Sequence, residues 1–230
     1  MSSPEFDASA AWQDAALAAA LLAVAPAYLG GLHLKALPGP VRETWLETLR
    51  EMLPADAPLR RVPSHVDAAG LLGGLDLPAT LQAGRPVAQR GLLLECAGGV
   101  ALLAMAERSV RGTVAHLASV MDFSEVVLQR DGLAARHEAE VGIVALDESV
   151  GPDEHLTPVL GDRLAFVIDL HAAFADVEDG QHLAQLDFAD LSEDGHLVDL
   201  LTLRDELQAS LRDAGRAVEA GRERNREMEA

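Results

Sequence analysis

Apolar residues recur along this chain at two spacings, and the alternation between them lays out an architecture. Ala11 to Ala25 is dense in Ala and Leu, with Trp12 near its head and Pro26 after it, which predicts a helix. Beyond Gly30-Gly31, the stretch Leu32-His33-Leu34-Lys35-Ala36-Leu37 alternates like a strand. After Pro38-Gly39-Pro40, Val41, Trp45, Leu46, Leu49 and Met52-Leu53 fall on one helical face. Leu59 to Val62 predicts a short strand, and Pro78 to Ala83 a brief helix after the Gly-punctuated run Leu71-Leu72-Gly73-Gly74-Leu75-Asp76. Val100 to Ala106 is unbroken apolar sequence between Gly98-Gly99 and Glu107-Arg108, which suits a strand covered on both faces. A helix from about Gly112 to Met121 leads to a hairpin, Glu125–Arg130 and Leu133–His137, around Asp131-Gly132, because both turn residues tolerate positive φ. Val141–Leu146 and Leu164–Leu170 read as two more buried strands. Strands alternating with helices through residue 170 predict an α/β fold with a parallel sheet flanked by helices.

The texture changes at His171. The last 60 residues carry 15 acidic and 6 basic side chains, against 22 and 12 in the 170 before them. Residues 171–196 read as an acidic loop, and 197–230 as charged amphipathic helix. The whole chain of 230 residues is 49% hydrophobic, ample for a core, and its formal charge of −19 disfavours nucleic acid and anionic membranes as partners. Its longest apolar run, Ala15–Ala25, is about half the ~20 residues a membrane span needs, and the acidic start lacks the positive region of a signal peptide. One cysteine, Cys96, excludes an internal disulfide and a Cys-based zinc cage and fits a reducing compartment, the cytoplasm. Set among Leu92, Leu93, Leu94 and Ala97, it reads as a core residue.

A strand, a Gly/Pro loop and a helix is where nucleotide-binding α/β proteins carry the P-loop, G-x-x-x-x-G-K-[ST]. The frame falls on residues 36–43, but its chemistry is missing. Gly39 lies within the frame, but Val41 adds a side chain where backbone must approach phosphate, and Pro40 deletes an N–H. Arg42 stands at the lysine position and Glu43 where a hydroxyl should meet Mg²⁺. A carboxylate ~4 Å from a phosphate charge costs on the order of 4 kcal/mol at an effective dielectric near 20. Lys35, the only lysine, lies on the preceding strand and cannot substitute.

The order of elements, Leu71-Leu72-Gly73-Gly74-Leu75-Asp76, Arg90-Gly91-Leu92-Leu93 and the hairpin Gln129-Arg130-Asp131-Gly132-Leu133 with Arg136-His137 resemble the AAA+ module of the magnesium chelatase family over about Ala11 to Leu170. Within that family the chain resembles the D subunit, whose AAA+ module is degenerate, rather than the ATP-hydrolysing I subunit. The resemblance implies an AAA+ core over 1–170, a projecting hairpin at Arg130, Asp131 and Gly132, and a lid remnant or linker start over 197–230. The family's Walker B acids map to Ala104 and Met105, and its sensor-1 Asn to Asp147, so ligands for Mg²⁺ and a base for water are lost. The resemblance implies that this chain binds no nucleotide, while the complex uses ATP and Mg²⁺. It further implies that Arg163, in Gly161-Asp162-Arg163-Leu164, is an arginine finger reaching a neighbour's γ-phosphate, unless it merely pairs with Asp162 or caps the strand. The expected partners are the I-subunit ring and the large porphyrin-binding H subunit, in an assembly that inserts Mg²⁺ into protoporphyrin IX on the way to chlorophyll or bacteriochlorophyll. The family's acidic linker and its Asp-x-Ser-x-Ser metal motif do not occur in these 230 residues.

Two other readings stay open. Arg42 could serve a divergent ATPase, or the acids Asp147, Glu148, Asp153 and Glu154 with His155 a metal-dependent hydrolase; those acids lack calcium-loop spacing and read rather as a solvated acidic loop. An AAA+ adaptor of the MoxR kind, serving another metal-cofactor insertion, is the third. No histidine pair shows the i, i+4 spacing of a zinc helix.

Overall fold

The computed structural model describes residues 8–130, 133–151 and 153–174, and positions 202, 205–206 and 209–210. The chain divides into a unit over Met1–Gln185 and a second over Leu186–Ala230. In the second, the described positions are helical and exposed.

The first unit opens with α1 (Ala8–Val24), β1 (Gly31–Lys35), α2 (Pro40–Met52) and β2 (Leu59–Val62). There follow α3 (Ala68–Leu72), β3 (Gly73–Leu75), α4 (Leu77–Ala83), β4 (Ala88–Arg90) and α5 (Leu92–Glu95). Then come β5 (Gly99–Leu103), α6 (Arg111–Phe123), β6 (Glu125–Arg130), β7 (Leu133–Glu138) and β8 (Val141–Asp147). Last are α7 (Pro158–Gly161), β9 (Phe166–Asp169) and α8 (Leu170–Ala173). Five parallel strands form one sheet in the order β2-β5-β8-β1-β9. The central strands β5 and β8 are buried at every position, as helices on both faces require, and they match the continuous apolar runs in the sequence.

Helix α2 starts where Pro40 fixes the first helical φ, and it buries Trp45, Leu49 and Met52, spaced four and three residues apart. The Trp45 indole N–H donates to the Ala15 carbonyl at 2.9 Å, which locks α2 onto α1 and so sets the aim of its N-terminus. Asp67 and Asp76 cap α3 and α4 through their side chains. Hairpins β3–β4 and β6–β7 stand outside the main sheet; Val126 and Leu128 root the second in the core while β7 is largely exposed.

Three expectations need correction, and one strand pair was not expected. The run Val100–Ala106 leaves the strand at Leu103, because Met105 takes a left-handed φ of 46° and turns the chain into a 3₁₀ turn over Ala106–Arg108. The segment Leu164–Leu170 is strand only over Phe166–Asp169, and it is half exposed because β9 pairs with β1 alone among the described strands. Residues 171–173 are helix rather than loop; 175–196 lie outside the described residues. The pair β3–β4 had no sequence signal beyond its glycines, since three-residue strands carry too little periodicity.

Candidate functional site

In a parallel α/β sheet the ligand crevice lies beyond the carboxyl ends of the strands, where the strand order reverses. Here that place is at the ends of β1 and β8, under the N-terminus of α2. Gly39 caps α2 without a side-chain hydrogen bond. Arg42, one turn in, is 4% exposed. Its Nη1 donates to Glu148 Oε1 at 2.6 Å, its Nη2 lies 3.4 Å from Glu43 Oε1, and its buried Nε has no hydrogen-bond partner. Glu148 is steered from behind, since its own N–H donates to Glu107 Oε2 at 3.1 Å. The Glu107 carboxylate is fully buried and pairs with Arg108, which also reaches Glu154 at 3.2 Å. Two ion-pair groups, Glu43–Arg42–Glu148 and Glu107–Arg108–Glu154, are thus joined through the Glu148 backbone N–H.

The other positions expected to belong to a nucleotide site are Ala104, Met105 and Asp147. Ala104 is buried and apolar, and Met105 occupies the strained turn, so neither offers a metal ligand. Asp147, at the end of β8, is 2% exposed; its Oδ2 sits 2.7 Å from His33 Nε2 and its Oδ1 accepts the Ser149 N–H at 2.9 Å. Burial pushes this carboxyl up, but the bonds from Ser149 and His33 outweigh it and hold the group below the ordinary carboxylate range. The acids from the end of β8 onward are therefore only in part the solvated loop the sequence suggested. Asp147 and Glu148 are spent on His33 and Arg42, while Asp153, Glu154 and His155 are exposed. Among the described residues no group of three His, Cys, Asp or Glu side chains could hold a metal ion.

An ATP–Mg²⁺ ligand does not fit the residues at this place. The guanidinium at the lysine position is already engaged, Pro40 withholds an N–H, and positions 104 and 105 carry no side-chain oxygen. Glu43, whose side chain is more than half exposed, is the lesser obstacle; Glu148 is the greater. The sequence reading passed over Glu148 as partner of Arg42. The signal available was that a buried arginine demands a counter-charge.

Arg163 stands at the opposite edge of the sheet, just before β9. Its carbonyl closes on Gly30, where φ is +72° and an added Cβ would lie 2.1 Å from that oxygen. With β1 rising ~3.3 Å per residue, about 15–20 Å separates this end of β1 from the end that leads to α2. The guanidinium is held by Asp122, with Nε to Oδ1 at 2.8 Å and Nη2 to Oδ2 at 2.7 Å, while Nη1 donates to the Val159 carbonyl at 2.6 Å. The partner is thus Asp122 on α6 rather than the adjacent Asp162. Their shared hydrogen bonds first, and then their opposite charges, lower the Asp122 carboxyl and raise Arg163. Exposed apolar side chains, Phe123 and Val159, stand beside the pair. On the hairpin, Arg130 is exposed at the end of β6; Asp131 and Gly132 lie outside the described residues.

No family model matches the chain. It is 39% identical over 153 residues to the magnesium-chelatase 60 kDa subunit of Rhodobacter capsulatus, covering 66% of this chain and 24% of that protein. To the protein of the same name from Cereibacter sphaeroides it is 40% identical over 159 residues, 69% of this chain and 25% of that one. To the magnesium-chelatase 67 kDa subunit of Chlorobaculum parvum it is 30% identical over 148 residues, 64% and 23% of the two chains. The chain spans about a quarter of the length of these curated relatives. Among solved structures, a cryo-EM-based complex of subunits BchI and BchD of magnesium chelatase is similar, with TM-score 0.55, 22% identity, and 90% of this chain and 78% of that one covered. The crystal structure of NtrX from Brucella abortus is similar too, with TM-score 0.56, 15% identity, and 86% and 50% covered. At these identities the structures speak for the AAA+ α/β fold alone.

Proposed function

We propose that this chain, which belongs to the magnesium chelatase D-subunit family through a degenerate AAA+ module, works as a non-hydrolysing platform. It assembles with ATP-hydrolysing I subunits, and the assembly inserts Mg²⁺ into protoporphyrin IX, with porphyrin carried by the large H subunit. Mg²⁺ and porphyrin are substrates of that assembly, and ATP is consumed on the I subunits.

The observation that carries this reading is the Arg42–Glu148 pair, which spends the phosphate-reaching side chain inside the protein. A chain that cannot grip a triphosphate contributes by contact. Arg163 suits that part: it is too far from its own crevice to act there, and it lies exposed enough to reach a neighbour's phosphate if it exchanges Asp122 for it. The excess of acidic residues favours docking on complementary protein surfaces rather than nucleic acid. No helix among the described residues is long and apolar enough to cross a membrane, and the single buried thiol suits the reducing cytoplasm.

The test is Arg163→Ala in a reconstituted complex. The variant should co-purify with an I subunit yet lower ATP turnover at the shared interface, where a finger is worth up to roughly 10³–10⁵ in rate. Unchanged turnover and chelation would remove the finger, and micromolar MgATP affinity of the wild-type chain would remove the platform.

A further inference from the structure

We propose that Glu148 is a built-in substitute for phosphate, so that the chain keeps its vestigial nucleotide crevice filled with its own carboxylate. The inference rests on reading that crevice as a degenerate ATP site, and it says how the site stays shut.

A guanidinium removed from water must find an anion. At the lysine position of a P-loop that anion is the β/γ-phosphate. Here Nη1 of Arg42 is 2.6 Å from Glu148 Oε1, although the two residues are 106 apart in sequence. Glu148 is the first residue after β8, so the strand end delivers the carboxylate to the place a phosphate would take. The backbone bond to the buried Glu107 carboxylate then keeps it there. A carboxylate is a smaller oxyanion than a phosphate, and the fit shows it. Arg42 Nε remains buried without a partner, and α2 begins without a side-chain cap. Both are features of a cradle with donors to spare for a larger anion.

Removing the Glu148 charge should therefore uncover an oxyanion site that the wild-type chain hides. The probe is inorganic phosphate, added to the full chain at constant ionic strength while thermal unfolding is followed. Glu148→Ala opens the crevice, and Glu148→Gln keeps its shape and is the variant expected to fold without ligand. At phosphate ~10-fold above its Kd, linkage raises Tm by roughly 3–6 °C for a domain of this size. We expect that shift in both Glu148 variants, less than a third of it in the wild type, and its loss in Arg42→Met/Glu148→Gln. Equal shifts in wild type and Glu148 variants, or a shift that survives the loss of Arg42, would overturn the proposal. Phosphate rescue with no effect on an I subunit's ATPase would keep the plug and sink the platform; ATPase stimulation with no rescue would do the reverse.

Discussion

A double-mutant cycle on Arg42 and Glu148 measures how strongly the crevice is closed from within. The perturbations are Arg42→Met, Glu148→Met and the double variant, since methionine keeps side-chain length while removing charge. The Arg42 side chain is 5% exposed and that of Glu148 is 17% exposed. In Glu148→Met the guanidinium stays buried with only Glu43, 3.4 Å away and largely solvated, to answer it. That is the broken buried pair, which costs about 3–5 kcal/mol. In Arg42→Met the remaining carboxylate can turn toward water, so the loss should sit at or below the lower end of that range. The double variant removes both charges and leaves two apolar chains in contact, a change that is often neutral or stabilising. The coupling should therefore be about 3 kcal/mol or more, at or beyond the upper end of what contacting residues show. Urea unfolding followed by fluorescence reads it, because both tryptophans, Trp12 and Trp45, are buried. Additive losses, with coupling under about 0.5 kcal/mol, would show that the two side chains do not depend on each other. The crevice would then be open to a stronger anion.

Two further outcomes follow from single groups. The Asp147 carboxyl is held below its unfolded value of ~3.9, so the stability it contributes is present above that pH and is lost as pH falls through the folded value. Asp147→Asn should flatten the stability curve below about pH 4, and parallel acid limbs for wild type and variant would contradict it. The Cys96 thiol is pushed up to about 12, by burial first and then by Glu95, with Arg60 opposing. A thiol-specific disulfide reagent at pH 8 should modify it only at the rate of unfolding, and rapid reaction of the native chain would place the thiol outside the core.

Much of the framework was legible because it is local. Leu59–Val62 was read with the bounds it has, and the hairpin differs by one residue, because short apolar runs bounded by turn residues are self-contained signals. The edge strand β9 was misjudged for the opposite reason. Apolar composition cannot distinguish a strand with two neighbours from one with a single neighbour, a matter settled by sheet order. The acids after β8 were seen, yet their partners were not, since nothing near them in sequence predicts His33 or Arg42.

By itself the sequence determined which chemical groups stand in a P-loop frame, Arg42 and Glu43 for Lys and hydroxyl. Identity and spacing along one strand-loop-helix need no partner to be read. Only the tertiary structure decided where the charges go, placing Glu148 against Arg42 and Asp122 against Arg163. Those pairings join residues 106 and 41 positions apart. They exist because the sheet order β2-β5-β8-β1-β9 sets the end of β8 beside the start of α2, and because α6 packs against α7. Electrostatic energy depends on that distance in space, and the chain alone does not state it.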